Sequence, residues 1–270
     1  MDVMIGQKSN LELILNWRFN KSIPRFILIQ GNIGSGRFTL AKQICSVLNT
    51  VPIVCDSGKD DIRDVIQNSY LIYDFQCYIF RDIDTMSDGA KNALLKIVEE
   101  PPNNCYFIMT VEDFDNVPAT IISRAFTMTM NPYTEAELRN FTANENLIKY
   151  CSTPGQILYW EDKDFDEFIT FCRNATETIF NGTGIKALQI TNSLKSKAED
   201  DGYDPALFVG IISKMILQKI ETTVKSQDCL RLISRTSNLQ RLLRIKSIKK
   251  DSLIDDYILW VRDFLDETVS

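Results

Sequence analysis

Residues 26–49 constrain the fold more than any other part of this chain. They begin with the apolar run FILIQ, continue with a glycine-rich segment at 31–36 and end with the amphipathic sequence FTLAKQICSVLN at 38–49. A short apolar run that ends at glycine is typical of a buried parallel strand, and the apolar spacing after it predicts a helix. Strand, glycine loop and helix in this order predict a phosphate-binding loop, because N–H groups at such a helix start can bind phosphate oxygens.

Two positions of this loop depart from the working pattern, which is G-x-x-x-x-G-K-[ST]. Gly31 and Gly36 occupy the glycine positions and Gly34 lies between them, but Arg37 and Phe38 replace the lysine and the hydroxyl residue. Phe38 has no hydroxyl for Mg²⁺, and the guanidinium of Arg37 does not reproduce the compact ammonium group of lysine. The loop is therefore predicted either as a turn without ligand or as a weakened nucleotide or anion site.

Strands and helices alternate up to residue 132. Apolar runs predict strands at 26–30, 52–56, 77–84, 105–111 and 125–130, and helices at 9–20, 38–49, 61–71, 88–100 and around 117–124. Ser9 or Asn10 is the predicted N-cap of the first helix, and Ser87 that of the helix at 88–100. The alternation predicts an α/β domain with a doubly wound parallel sheet.

The pattern of apolar residues changes after Pro132. Thr134 and Glu137 form a capping box that opens a helix, and the periodic segments that follow are helical. We expect an α/β domain at 1–132, a small helical domain at 133–175 and an all-helical C-terminal domain at 176–270.

Composition excludes several classes of protein. The chain of 270 residues has no histidine, which removes histidine-based triads, general bases and metal sites. Its seven cysteines are odd in number and never spaced as C-x-x-C, which argues against a disulfide framework or zinc ribbon and favours a reducing compartment. Short apolar runs, the absence of a signal-peptide pattern and a net charge of −6 predict a soluble cytoplasmic protein that does not bind nucleic acid on its own.

Three further motifs stand in the order and spacing of one known family. Ile5-Gly6-Gln7 resembles an N-terminal I-G-Q near the adenine site, and residues 83–100 resemble the stretch A-D-K-M followed by A-N-A-L-L-K-x-L-E-E-P-P. Residues 118–124, PATIISR, resemble the segment P-T-I-x-S-R-C that carries an arginine finger. The chain thus resembles a clamp-loader subunit of the AAA+ superfamily, most closely the delta-prime subunit of bacterial DNA polymerase III. The resemblance implies that the α/β domain is an AAA+ core, that the helical domain at 133–175 is a lid domain and that the helical domain at 176–270 is a collar domain. A bacterial and a phage or mobile-element origin both stay open.

The resemblance implies that the chain has lost the chemistry of its own site. The Asp-Glu of the second nucleotide motif, which hold the Mg²⁺ shell and orient water, correspond to Arg81 and Asp82. The lid arginine that senses the γ-phosphate corresponds to Gln156. Since phosphoryl transfer needs a positioned metal together with charge stabilisation, no ATPase activity is expected of the chain itself. Arg81 is expected to pair with a nearby acid such as Asp82 or Asp84.

Arg124 is the functional residue that the resemblance retains. With Ser123 it matches the family's arginine finger, which acts in trans on the nucleotide of a neighbouring subunit. The resemblance implies a non-hydrolysing scaffold subunit without a cofactor or metal at its own site, and with ATP and Mg²⁺ at the interface with its neighbour. The implied partners are ATPase subunits in a hetero-oligomeric ring, a sliding clamp and primer–template DNA, and no membrane.

Other interpretations remain open. Arg37 and Asp82 could stand in for the lysine and the glutamate of an active ATPase, or the chain could be an interaction protein outside replication. Arg124 could be an ordinary surface arginine. Lys91, Lys96 and the seven basic residues between positions 229 and 250 are either solvated or contact DNA or a partner.

Overall fold

The computed structural model describes residues 4–55, 75–100, 102, 104–221, 224–244 and 249–269. The chain divides into two compact units, Met1–Glu161 and Asp162–Ser270. The finer division into three domains stays a prediction.

The first unit is built on a parallel five-stranded sheet. Its strands are β1 (Phe26–Gln30), β2 (Pro52–Cys55), β3 (Gln76–Phe80), β4 (Cys105–Val111) and β5 (Phe126–Thr129), in the spatial order β2-β3-β4-β1-β5. Its described helices are α1 (Lys8–Asn20), α2 (Arg37–Val47), α3 (Asp88–Glu99), α4 (Ala119–Ile122), α5 (Glu135–Leu138), α6 (Glu145–Tyr150) and α7 (Pro154–Tyr159), with 3-10 turns at Ile83–Thr85 and Phe114–Asn116. The predicted α/β class is confirmed.

Strand β1 is buried on both faces of the sheet. Phe26 and Leu28 belong to one apolar cluster, which α3 completes, whereas Ile27 and Ile29 belong to a second cluster with α1 and α2. This is why the strand reads as a continuous apolar run rather than an alternating one. Because all strands are parallel, the carboxyl ends of β1, β3 and β4 lie at the same edge of the sheet. The glycine loop and the second nucleotide motif therefore meet there.

Two local predictions are wrong. The strand predicted at 77–84 ends at Phe80, because Asp82 adopts a left-handed backbone conformation with φ of 48° and begins a 3-10 turn. The N-cap of α1 is Gln7, and Asn10 instead donates from Nδ2 to the carbonyl oxygen of Thr129 over 3.1 Å. The helix predicted at 61–71 lies outside the described residues.

Two predicted helix caps are confirmed. The Ser87 hydroxyl accepts from the N–H of Ala90 at the start of α3. Thr134 and Glu137 form the capping box at the start of α5, where each side chain accepts from the backbone N–H of the other residue. Local sequence thus determines where both helices begin.

Every element of the second unit that the structure describes is a helix. They are α8 (Phe165–Asn181), α9 (Gly184–Asp200), α10 (Pro205–Ile220), α11 (Ser226–Leu243) and α12 (Lys250–Val269). The Thr236 hydroxyl on α11 hydrogen-bonds Ser213 Oγ of α10 over 2.9 Å and Tyr257 Oη of α12 over 2.8 Å. This buried polar contact joins three helices of the second unit. Within the described residues, no helix is long and apolar enough to cross a lipid bilayer.

Candidate functional site

The glycine loop at 31–36 runs from the end of β1 to the start of α2. Gly34 and Gly36 have positive φ values of 77° and 91°, a conformation that glycine adopts without a steric penalty. Gly31 has a different requirement, since a Cβ at that position would lie 2.6 Å from Cγ of Met130. The strand–loop–helix context predicted from the sequence is therefore present, and each of the three glycines has a structural reason.

An ion pair joins one altered position of the glycine loop directly to one altered position of the second nucleotide motif. Arg37 is the first residue of α2, Asp82 follows β3, and Nη2 of Arg37 lies 3.0 Å from Oδ1 of Asp82. The Arg37 side chain is 9% exposed, whereas that of Asp82 is 41% exposed. In a working site, the residue at the position of Arg37 approaches the β- and γ-phosphates, and the residue at the position of Asp82 orients the attacking water. Here the two side chains bind each other instead.

Burial is the main cause of the pKa shifts of Arg37 and Asp84. It lowers the pKa of the Arg37 guanidinium, while the carboxylates of Asp82 and Asp84 oppose that shift. Burial also raises the pKa of Asp84, although Oδ2 of this residue accepts from the N–H of Glu112. Nη1 of Arg37 and Oδ1 of Asp84 are buried and have no hydrogen-bond partner in the described part of the chain. The buried guanidinium therefore depends on Asp82.

Phe38 has a structural role at the position where the motif needs a hydroxyl. Its ring is half-buried, and Cζ of Arg81 and Nζ of Lys42 each lie 4.9 Å from the ring centroid. Contacts of this kind are favourable because the aromatic face is electronegative. The expectation that Arg81 pairs with Asp82 or Asp84 is wrong, since Asp82 pairs with Arg37 and Arg81 lies over the aromatic ring.

Thr110 is a site residue that the sequence reasoning missed. It lies on β4, is 2% exposed, and its hydroxyl accepts from the N–H of Asp82 over 2.9 Å. The same hydroxyl lies 3.4 Å from Oδ1 of Asp82 and donates to it. Thr110 thus holds the turn that presents the carboxylate to Arg37. A polar residue near the end of the apolar run CYFIMTV is the signal that could have identified it.

A cavity of about 500 Å³ lies beside the glycine loop. This volume falls in the range of small-molecule sites, about 300–1,000 Å³. The polar part of its lining includes Arg37, Arg81, Asp82 and Thr110, and the apolar part includes Met4, Ile5, Ile33, Phe38, Phe141 and Leu158. The altered loop therefore retains a concave space next to it.

The two predicted motif glutamines have structural partners. Gln7 is fully buried and exchanges two hydrogen bonds with the backbone of Asn131, of 2.9 Å and 2.8 Å. It thereby ties the segment before α1 to the end of the sheet. Gln156 lies in the first turn of α7, and its Oε1 accepts from the N–H and the hydroxyl of Ser152.

Arg124 and Ser123 lie at the opposite edge of the sheet from the glycine loop. They follow α4 and precede β5, whose Phe126 is level with Ile27 of β1. At about 3.3 Å per strand residue, this places Arg124 on the order of 15–20 Å from Gly31. Both side chains are exposed, and Nη1 of Arg124 donates to the carbonyl oxygen of Thr120 over 3.3 Å. The structure brings Arg37, Arg81 and Asp82 together and keeps Arg124 apart from them.

The candidate DNA-facing residues lie in different environments. Lys91 is 9% exposed, because it falls on the stripe of α3 that packs on the sheet, so it is not a surface contact, whereas Lys96 is exposed. In the basic stretch of the second unit, Cζ of Arg235 lies 4.7 Å from the ring centroid of Trp260, and Arg231 approaches the ring of Phe264. At least these two arginines contact their own unit.

The fold of this chain is similar to that of known solved structures. It is an AAA+-like fold, with a parallel five-stranded sheet and a substantial helical region after it. A gamma subunit-related protein of DNA polymerase III from Thermotoga maritima matches with a TM-score of 0.52 at 16% identity, covering 93% of this chain and 98% of that one. A mutant of RuvB from the same organism matches with a TM-score of 0.54 at 16% identity, covering 95% and 89%.

Sequence comparison indicates more particular relatives. Residues 58–134 match the family described as DNA polymerase III, delta subunit. The chain is 28% identical over 169 residues to DNA polymerase III subunit gamma of Buchnera aphidicola from Schizaphis graminum, covering 51% of this chain and 47% of the relative. It is 26% identical over 152 residues to subunit tau of Bacillus subtilis, covering 45% and 27%. The chain thus spans about half the length, or less, of these relatives.

Proposed function

We propose that this chain is a subunit of a cytoplasmic clamp loader, which assembles with ATPase subunits in a hetero-oligomeric ring to load a sliding clamp on primed DNA. The proposal is supported by the similarity to gamma and tau subunits of DNA polymerase III and by the match of residues 58–134 to the delta-subunit family. The AAA+-like fold is consistent with it. Within such a ring, the chain has the role of a delta-prime subunit.

We further propose that the chain's own loop does not hydrolyse ATP. Its donor set does not fit ATP with Mg²⁺, because Phe38 offers no hydroxyl and the carboxylate of Asp82 is taken by Arg37 at 3.0 Å. A phosphate chain would have to separate this pair, and Arg81, over the Phe38 ring, replaces the metal-binding carboxylate. Separating a buried guanidinium from its carboxylate is unfavourable.

The proposal that Arg124 acts in trans on a neighbouring subunit rests on the location of this residue. This arginine is exposed, and the parallel register places it on the order of 15–20 Å from its own glycine loop. An arginine side chain spans only about 7 Å, so Arg124 does not reach its own loop, but it is accessible to a neighbouring subunit. A guanidinium supplied in trans stabilises the charge that develops during phosphoryl transfer, typically with a 10³–10⁵-fold effect on rate.

The assignment is tested by reconstitution with gamma-type ATPase subunits and measurement of clamp-stimulated ATP turnover. We expect Arg124→Ala to assemble normally and to lose most of the turnover at the interface that it serves. The matched control is Arg173→Ala, which removes an exposed arginine of the second unit and should leave turnover unchanged.

Two outcomes would contradict different parts of the proposal. Unchanged turnover with Arg124→Ala in an intact assembly would remove the arginine-finger role. A failure of the wild-type chain to associate with any ATPase subunit in pull-down would remove the clamp-loader assignment and favour an interaction protein outside replication.

A further inference from the structure

We propose that the first turn of α7 is latched onto the glycine loop by direct contacts, so that the position of this helix does not depend on a bound nucleotide. The latch consists of two donors at the start of α7, Thr153 and Gly155, and of the loop residues Ile33 and Gly34 that accept from them; Tyr133, which lies before α5, supports the same loop through Ser35. It concerns the chain's own loop and holds whether or not Arg124 acts in trans.

Three successive carbonyl groups of the loop accept hydrogen bonds from the latch and from Tyr133. Thr153 Oγ1 donates to the carbonyl oxygen of Ile33 over 2.8 Å, and the N–H of Gly155 donates to that of Gly34 over 2.9 Å. The hydroxyl of Tyr133 donates to the carbonyl oxygen of Ser35 over 2.9 Å. Such a run of bonds holds the loop at each of three consecutive peptide groups.

The contact between Gly34 and Gly155 is a close approach of two backbones. A Cβ at Gly34 would lie 2.7 Å from Thr153 Oγ1 and 2.8 Å from Cα of Gly155. A Cβ at Gly155 would overlap Cα of Gly34 and lie 3.0 Å from its carbonyl oxygen. Real Cβ atoms do not approach backbone atoms this closely, so α7 reaches the loop only because both positions are glycine.

The contact between α7 and the loop is made by groups of the chain itself. The residue at the position of a phosphate-sensing arginine is Gln156, and its Oε1 accepts from Ser152 at the start of its own helix. The loop is instead reached by a backbone N–H and by the Thr153 hydroxyl, and neither bond involves a phosphate. The contact between α7 and the loop therefore needs no nucleotide.

The chain offers a matched pair of glycines for a test. Gly155 and Gly184 both lie in the first turn of a helix, α7 and α9, and neither has a positive φ. Alanine is thus compatible with the backbone at both positions. Among the described residues, no heavy atom lies within 4 Å of a Cβ built at Gly184, in contrast to Gly155. Gly155→Ala breaks the latch, and Gly184→Ala controls for the effect of alanine on a helix start.

The experiment is hydrogen–deuterium exchange of the full chain without nucleotide, followed by mass spectrometry of peptides that cover residues 31–37 and 152–159. We expect Gly155→Ala to speed exchange about tenfold or more in both peptides. Local opening of the latch frees the Gly155 N–H in the helix peptide, and it loosens the loop turn that protects the Ser35 N–H, which donates to the carbonyl oxygen of Asn32, in the loop peptide. Gly184→Ala should leave both peptides as in the wild type. Tyr133→Phe, which removes one donor without adding volume, should speed exchange in the loop peptide by a smaller factor.

Several results would overturn the latch. One is exchange in Gly155→Ala that equals that of Gly184→Ala in both peptides. If Gly155→Ala does not fold, unchanged loop exchange in Tyr133→Phe would count against the latch. A marked slowing of wild-type exchange at 152–159 on addition of ATP and Mg²⁺ would show that the helix position depends on nucleotide.

Discussion

The glycine-loop end of the sheet and the Arg124 edge each present an arginine, but the two arginines have opposite surroundings. Arg37 is 9% exposed and is bound to Asp82, whereas Arg124 is exposed and donates a long hydrogen bond to the carbonyl oxygen of Thr120. A guanidinium that is buried and paired serves the structure, because separating it from its partner is unfavourable. An exposed guanidinium remains available to another molecule. The environment of each arginine therefore indicates its role better than the residue type does.

The most destabilising change that follows from this comparison is Asp82→Ala. It leaves the buried Arg37 without its carboxylate, so we expect a loss of about 2 kcal/mol in the free energy of unfolding, less than for a fully buried pair because Asp82 is partly exposed. Urea unfolding of the purified chain measures this loss. The double variant Arg37→Met, Asp82→Ala should recover at least half of it, and a double variant less stable than Asp82→Ala would show that the pair is not the cause.

Thr110→Val should have a smaller effect on the same end of the sheet. Valine preserves the volume but leaves the N–H of Asp82 without the acceptor that the threonine provides at 2.9 Å. A buried unsatisfied N–H costs about 1–2 kcal/mol. Thermal unfolding of the variant checks this value. An unchanged melting temperature would mean that Thr110 does not hold the turn that presents Asp82.

Arg124→Ala should change the free energy of unfolding by less than about 0.5 kcal/mol, as is usual for a surface substitution. The contrast with Asp82→Ala, measured in the same urea series, separates a structural arginine site from an exposed one. A loss comparable with that of Asp82→Ala would show that Arg124 contributes to the fold and would remove the basis of the comparison.

Phe38→Thr should have no effect on turnover by the isolated chain. It restores the hydroxyl of the loop motif, but Arg37 remains paired with Asp82, and Arg81 still replaces the carboxylate that the resemblance assigns to the metal. Phosphate release by the purified variant should stay at the level of a blank without protein. Detectable release would mean that the loop is closer to a working site than the ion pair indicates.

Much of the fold could be predicted from the sequence because it depends on local patterns. FILIQ, the glycine spacing and the capping box of Thr134 and Glu137 each act over a few residues, and the structure confirms all three.

Prediction failed where tertiary contacts determined the local structure. The side chain of Asn10 donates to the carbonyl oxygen of Thr129. Strand β3 ends before Asp82, whose N–H donates to the hydroxyl of Thr110. These partners are separated by 119 and 28 positions in the chain.

The candidate site was predictable in its members but not in their pairing. The motif comparison identified Arg37, Arg81 and Asp82 as altered positions, but it predicted that Arg81 pairs with a nearby acid such as Asp82 or Asp84. The carboxylate of Asp82 instead lies 3.0 Å from Arg37, and no local pattern indicates this pairing because the two residues are far apart along the chain. The burial of Lys91 was missed for a related reason, since a charged residue gave no indication that it lies on the packed stripe of α3.

The sequence by itself determined the order of strands and helices, the positions of the loop glycines and the loss of the lysine and hydroxyl, since these depend on residue type and local spacing. Only the tertiary structure decided that Arg37 binds Asp82, that Gly155 lies against Gly34, and that Arg124 is at the far edge of the sheet. These relations depend on tertiary contacts between residues that lie far apart along the chain: the parallel register of the sheet for Asp82 and Arg124, and the hydrogen bonds of α7 to the loop for Gly155.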